Sequence, residues 1–140
     1  MEKTVVLSIR GQQDYANQEP DVIELVTEGV FDEIEGGWRL TYQESDLTGL
    51  EGVNTIFEVQ GKTITLTRSG KLKSQMVFQE GVAHDSLYRT EFGTLMLTVC
   101  ATKVAVDIGE TGGVIDLQYN IEIEQSAAGT IDYHLDIQVK

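Results

Sequence analysis

From one end of the chain to the other, apolar side chains recur at every second position and almost nowhere at the 3.6-residue spacing of a helix. Period 2 is the mark of strands with one face buried and one in water, so helix is nearly excluded. The runs are Val5–Arg10, Val22–Glu35, Trp38–Glu44, Thr55–Val59, Thr63–Arg68, Leu72–Gln79, Val82–Thr90, Thr94–Ala101, Lys103–Ile108, Val114–Glu124 and Ile131–Val139. Glycine punctuates them at Gly36-Gly37, Gly61, Gly70, Gly81, Gly93, Gly112-Gly113 and Gly129, as turns demand. Gly36-Gly37 reads as a tight hairpin turn and Gly109 to Gly113 as a wide one. Gly29 inside the long second run reads as a bulge or bend, and Gln12 to Pro20 as a polar loop. Short connections make consecutive strands antiparallel neighbours. About ten or eleven such strands close rather than stay open, because closure removes exposed edges. The expectation is all-β: a single closed antiparallel up-and-down barrel of lipocalin-like, calycin-like type, with a Greek-key β-sandwich as the structural alternative.

A chain of 140 residues is long enough for one core and not two, so residues 1–140 form one domain. Its 10 basic and 23 acidic residues leave a net charge of −13. That field repels nucleic-acid phosphates and anionic membranes and favours basic partners, although outward carboxylates for solubility explain it more simply. The longest apolar runs fall far short of the roughly 18–20 residues of a membrane-spanning helix. Cys100 is the single cysteine, so no intramolecular disulfide forms. The start Met1-Glu2-Lys3-Thr4 lacks the basic end and apolar run of a secretory signal, which makes the cytoplasm the expected location.

Candidate functional residues follow from parity. Trp38, Leu40, Tyr42 and Glu44 share one face of their strand, as do Ile64, Leu66 and Arg68. If the apolar members face inward, Glu44 and Arg68 approach the interior too. A carboxylate and a guanidinium there must be paired or wet. They serve either as polar anchors for a small ligand or as a structural ion pair at a barrel mouth. Tyr88, Phe92, Tyr119 and Tyr133 are further large side chains that can line the interior, or simply fill it together with Trp38, Phe57 and Leu66. His134 alternates with Asp132, Asp136 and Gln138 on a polar face, and two distant histidines make no zinc set. Cys100 reads as a small hydrophobe. No glycine-rich loop opens a helix to bind phosphate, and neither histidine sits in a recognisable triad. No catalytic residue, metal or cofactor is indicated.

Thr27-Glu28-Gly29, Tyr42-Gln43-Glu44 with Gly49, Thr55, Arg68-Ser69-Gly70, Thr90-Glu91-Phe92-Gly93, Gly112-Gly113 and Tyr119 together carry a resemblance that spans nearly the whole chain. In these the chain resembles the YwiB-like family of uncharacterised bacterial proteins, small lipocalin-like β-barrels. The resemblance implies a barrel, a bacterial cytoplasmic setting and no assigned activity. It brings no catalytic residues with it, so the Glu44 and Arg68 reading rests on parity alone.

Three functions compete. The first is a non-enzymatic binding protein holding a small, partly apolar ligand, with Tyr42, Glu44, Arg68, Tyr88 and Tyr119 around it. The second is an acidic structural or interaction module, monomer or homodimer, that engages a basic protein or self-associates through a sheet face. The third, an enzyme with Glu44 as general acid or base, ranks last.

Overall fold

Ten strands and no helix make up the described part of the computed structural model, which covers residues 2–15, 19, 21–44, 52–90, 92–124 and 126–140. They are β1 (Lys3–Tyr15), β2 (Asp21–Ile34), β3 (Gly37–Gln43), β4 (Val53–Gln60), β5 (Thr63–Gly70), β6 (Ser74–Gln79), β7 (Ala83–Thr90), β8 (Gly93–Gly109), β9 (Gly112–Ile123) and β10 (Ser126–Val139). Pro20, Gly49 and Glu91, singled out in the sequence, lie outside the described residues. The strands form one antiparallel sheet in the order β6-β5-β4-β3-β2-β1-β10-β9-β8-β7. The meander is therefore an up-and-down barrel, not a sandwich. Its first and last strands are joined by an unbroken ladder from Val5↔Val139 to Tyr15↔Gly129.

The ring is nearly rather than fully closed. Between β6 and β7 there is no continuous ladder, only the bridges Lys73↔Arg89 and Gln79↔Val82, with Glu80↔Ala101 reaching β8. Side chains help to fasten this seam. The Ser86 hydroxyl donates to the Gln75 carbonyl, and the Val104 amide donates to Glu80 Oε2 at 3.1 Å.

Inward-facing rows supply the core. Val5, Leu7, Phe31, Leu40, Phe57, Ile64, Phe78, Val99, Ile115, Leu117 and Leu135 are all buried. Opposite walls touch: Phe57 of β4 meets Tyr133 of β10 at 5.8 Å between ring centroids, and Phe78 of β6 meets Tyr119 of β9 at 4.5 Å.

Several expectations need correction. The runs ending at Ala101 and beginning at Lys103 are one strand, β8, with a register shift between those two residues. The extra residue lets Ala101 and Val104, of opposite parity, both point inward. Gln12 to Tyr15 extends β1 rather than forming a loop, because Gln12 and Gln13 are paired on both sides, with Asp132 and Ile131 and with Val22 and Asp21. Gly29 is no bulge, since the β1–β2 register runs straight through Val5↔Gly29. It is a close approach instead: a Cβ there would lie 2.8 Å from the Thr41 carbonyl oxygen. The β2–β3 turn is Glu35-Gly36, not Gly36-Gly37, because Ile34 pairs with Gly37. Gly37 opens β3 where a Cβ would overlap the Val59 carbonyl oxygen, 1.7 Å away. The β8–β9 turn is tight rather than wide, since Gly109 pairs with Gly112.

Candidate functional site

Among the described residues, the end of the barrel from which β1, β3, β5, β7 and β9 leave has an inner wall that is not filled. It encloses a cavity of about 410 Å³, within the roughly 300–1,000 Å³ typical of ligand pockets. All five candidate residues, Tyr42, Glu44, Arg68, Tyr88 and Tyr119, line it. Phe92 does not; it is 92% exposed, beyond the end of β7, where no neighbouring strand covers it.

The cavity has two unlike walls. On one side Leu25, Leu95, Leu97, Ile121 and Ile131 present an apolar surface. Across from it, β3 and β5 contribute Tyr42, Glu44 and Arg68. Register explains how these polar groups come together. Tyr42 pairs with Thr55, Thr55 with Arg68, and Arg68 with Ser74. All four face inward, so strands β3 to β6 carry one polar row across the barrel. Directly below it runs the apolar row Leu40, Phe57, Leu66 and Met76.

Electrostatically the row is poorly satisfied. Thr55 Oγ1, Arg68 Nε and Ser74 Oγ are buried and meet no hydrogen-bond partner among the described residues. A buried polar atom left unpaired costs about 1–3 kcal/mol, more when charged, so three neighbours in that state have hydrogen-bonding capacity to offer a further partner. Glu44 is buried as well and is itself engaged in an interaction.

The two phenols opposite each other share one hydrogen bond, Tyr42 Oη to Tyr133 Oη, at 3.1 Å. Burial above all, then the neighbouring Tyr133 phenol and the Glu44 carboxylate, holds Tyr42 far above the usual tyrosine range. Burial pushes Tyr133 up to about 12, against the lowering effects of the Tyr42 hydrogen bond and the Arg68 charge. Both phenols are therefore neutral hydrogen-bond donors at physiological pH.

Sequence reasoning missed Thr55 and Ser74 as members of the site and treated Tyr133 as core filling. Parity places all three inward, Thr55 with Phe57 and Ser74 with Met76 and Phe78. What was missing was strand register, which alone aligns them with Arg68. Away from the cavity, His134 Nδ1 lies 2.6 Å from Asp116 Oδ1 on the outer face. Among the described residues no three His, Cys, Asp or Glu side chains are grouped to hold a metal ion.

Residues 7–137 match the model of a family described as a domain of unknown function, DUF1934. The chain belongs to this family. It is also 30% identical over 111 residues to the uncharacterized β-barrel protein YwiB of Bacillus subtilis (strain 168), covering 79% of this chain and 75% of that one. The crystal structure of the ywiB protein from Bacillus subtilis superimposes with a TM-score of 0.82 at 23% identity, covering 96% of this chain and 92% of that one. A DUF1934 chain is thus a barrel of this architecture, and its function is unknown.

Proposed function

We propose that this protein is a non-enzymatic binding protein that takes a small, partly apolar molecule into the open half of its barrel. The observation behind this reading is the 410 Å³ cavity, apolar on one wall and carrying Tyr42, Glu44 and Arg68 on the other. Such a division fixes both the location and the orientation of a ligand, apolar surface supplying affinity and a few polar groups supplying direction. Tyr88 and Tyr119 add aromatic surface.

The test is titration with a neutral apolar fluorophore, N-phenyl-1-naphthylamine, on the wild type and on Leu97→Trp. Leu97 is buried on the cavity wall, and an indole there occupies the space. Saturable enhancement that the substitution weakens at least tenfold is expected. An unsaturable or unchanged response would remove the cavity from consideration.

A second reading draws on the outer face of β2, where Val22, Val26 and Val30 are exposed at 46%, 70% and 37%. This stripe gives a surface for self-association through a sheet face, interrupted by Glu24 and Glu28. Sedimentation of the wild type and Val26→Ser decides it: a dimer that the substitution dissolves supports this reading, and a monomer in both rejects it.

A further inference from the structure

The composition of the polar wall narrows the ligand class, an argument that rests on the binding role proposed above. Guanidinium is charged at every accessible pH and offers donors only. Its Nε here is buried without a partner among the described residues. On either side in the cross-strand row, Thr55 and Ser74 each carry a buried hydroxyl in the same condition. Glu44, the one acidic group on the cavity wall among the described residues, is already engaged. Across the cavity, Tyr42 and Tyr133 share a single hydrogen bond. Whichever phenol accepts in that bond keeps its own proton free to donate. The buried capacity left unfilled among the described residues therefore includes donors at Arg68 Nε and one phenol, beside two hydroxyls that donate as readily as they accept.

The fields on the two phenols agree with this placement. At Tyr133 the influence of Arg68 exceeds that of Glu44, while at Tyr42 the order is reversed. Both phenols thus lie within reach of the Arg68 charge. Leu97 of β8 and Ile121 of β9 provide apolar wall, with Leu95 and Ile123 partly exposed at 43% and 36% along its rim.

We infer that the natural ligand is a monocarboxylate with an apolar tail, its carboxylate received by Arg68 and a tyrosine hydroxyl and its tail laid along the β8–β9 wall. A planar two-oxygen acceptor matches the side-on pair of donors of a guanidinium, which a single-oxygen head group cannot fill.

Calorimetric titration with decanoate, decanol and decylamine at pH 7 tests this, since the three share a tail and differ in head group. Decanoate is expected to bind the wild type about tenfold or more tighter than decanol, the effect of one charge-assisted hydrogen bond. Arg68→Met should abolish that preference while leaving decanol binding within a few-fold. Tyr133→Phe should reduce decanoate binding by a few-fold. Equal binding of decanoate and decanol, or tightest binding of decylamine, overturns the carboxylate assignment and leaves the binding cavity standing. Failure of all three probes, together with failure of the neutral fluorophore, overturns the binding role itself. Should Arg68→Met not fold, the ranking of the three head groups on the wild type decides the matter alone.

Discussion

The two halves of this barrel are built from the same strands with the same alternation, yet one is solid and the other is not. In the closed half, Phe31 stacks on Trp38 at 4.9 Å, and Phe57 and Phe78 reach across to the opposite wall. In the open half β8 contributes Leu95 and Leu97 and β9 contributes Tyr119, Ile121 and Ile123, while β3 and β5 contribute Tyr42, Glu44 and Arg68. Side-chain volume decides the difference. Phe57 and Phe78 reach the barrel axis and meet Tyr133 and Tyr119 there, whereas beyond those two rings the smaller Leu and Ile side chains leave room for the cavity. The barrel thus has a floor that carries stability and a mouth that is free to vary in what it holds.

The sharpest way to break this division is to truncate one residue in each half. Phe57→Ala, at 1% exposure in the floor, is expected to cost about 3–5 kcal/mol in denaturant unfolding. Ile123→Ala at the rim, already 36% exposed, should cost under about 1 kcal/mol. Equal losses would mean that the mouth is packed as tightly as the floor. Glycine gives the same contrast with the opposite change. At Gly37 an added Cβ overlaps the Val59 carbonyl oxygen, so Gly37→Ala should destabilise by about 1–3 kcal/mol. At Gly11, on the cavity wall, an added Cβ meets the Tyr133 ring at an ordinary 3.7 Å. Gly11→Ala should therefore be neutral or stabilising by up to about 1 kcal/mol, through the lower entropy of the unfolded chain.

Alkali probes the boundary between the halves, where Tyr42 and Tyr133 sit. Tyr133 titrates near 12 in the fold against 10.0 when free, and Tyr42 is raised further in the same direction. The folded state holds these protons more tightly than the unfolded chain does, so their contribution is fully present below pH 10 and is lost as pH rises toward 12 and beyond. Denaturant midpoints for the wild type should fall across that interval, and those of Tyr42→Phe should fall less steeply. A wild type as alkali-resistant as the variant would place the phenol in water.

Much of this architecture was legible in the sequence, for a physical reason. Period 2 fixes which side of a strand each residue occupies, so Tyr42, Glu44, Arg68 and Tyr119 could be assigned to the interior without knowing their neighbours. What periodicity does not contain is the alignment of one strand against the next. Thr55 and Ser74 become partners of Arg68 only through register, and Ser74, six residues beyond Arg68 in the chain, gives no local sign of it. Bulges escape for a related reason: at Thr102 the alternation changes phase, which in sequence is indistinguishable from a turn between two strands. Phe92 was misplaced because parity says nothing beyond the last paired residue, Thr90.

The weakest effect expected lies along the seam. Strand β7 is fully laddered to β8 but has no ladder to β6; the seam is held by the Lys73 and Arg89 pair, whose two backbone hydrogen bonds are each 2.8 Å, by the Gln79–Val82 bridge and by side chains such as Ser86. None of its residues is fully buried, whereas β1 contributes Val5, Leu7 and Ile9 to the core. Local opening should therefore begin at β7, since few buried contacts and exposed backbone bonds mark the least stable units of a fold. Amide hydrogen exchange is expected to show β7 exchanging well before β1 and β10, with Arg89 the slowest of its amides. Ser86→Ala removes the hydroxyl that donates to Gln75 across the seam and should speed β7 exchange while moving the unfolding midpoint hardly at all. The seam bears on the mouth because Tyr88, on β7, lines the cavity. A ligand that touches Tyr88 should slow β7 exchange and leave the exchange of the floor strands unchanged. Protection spread evenly over all ten strands would instead make the barrel one cooperative unit, with no independent mouth.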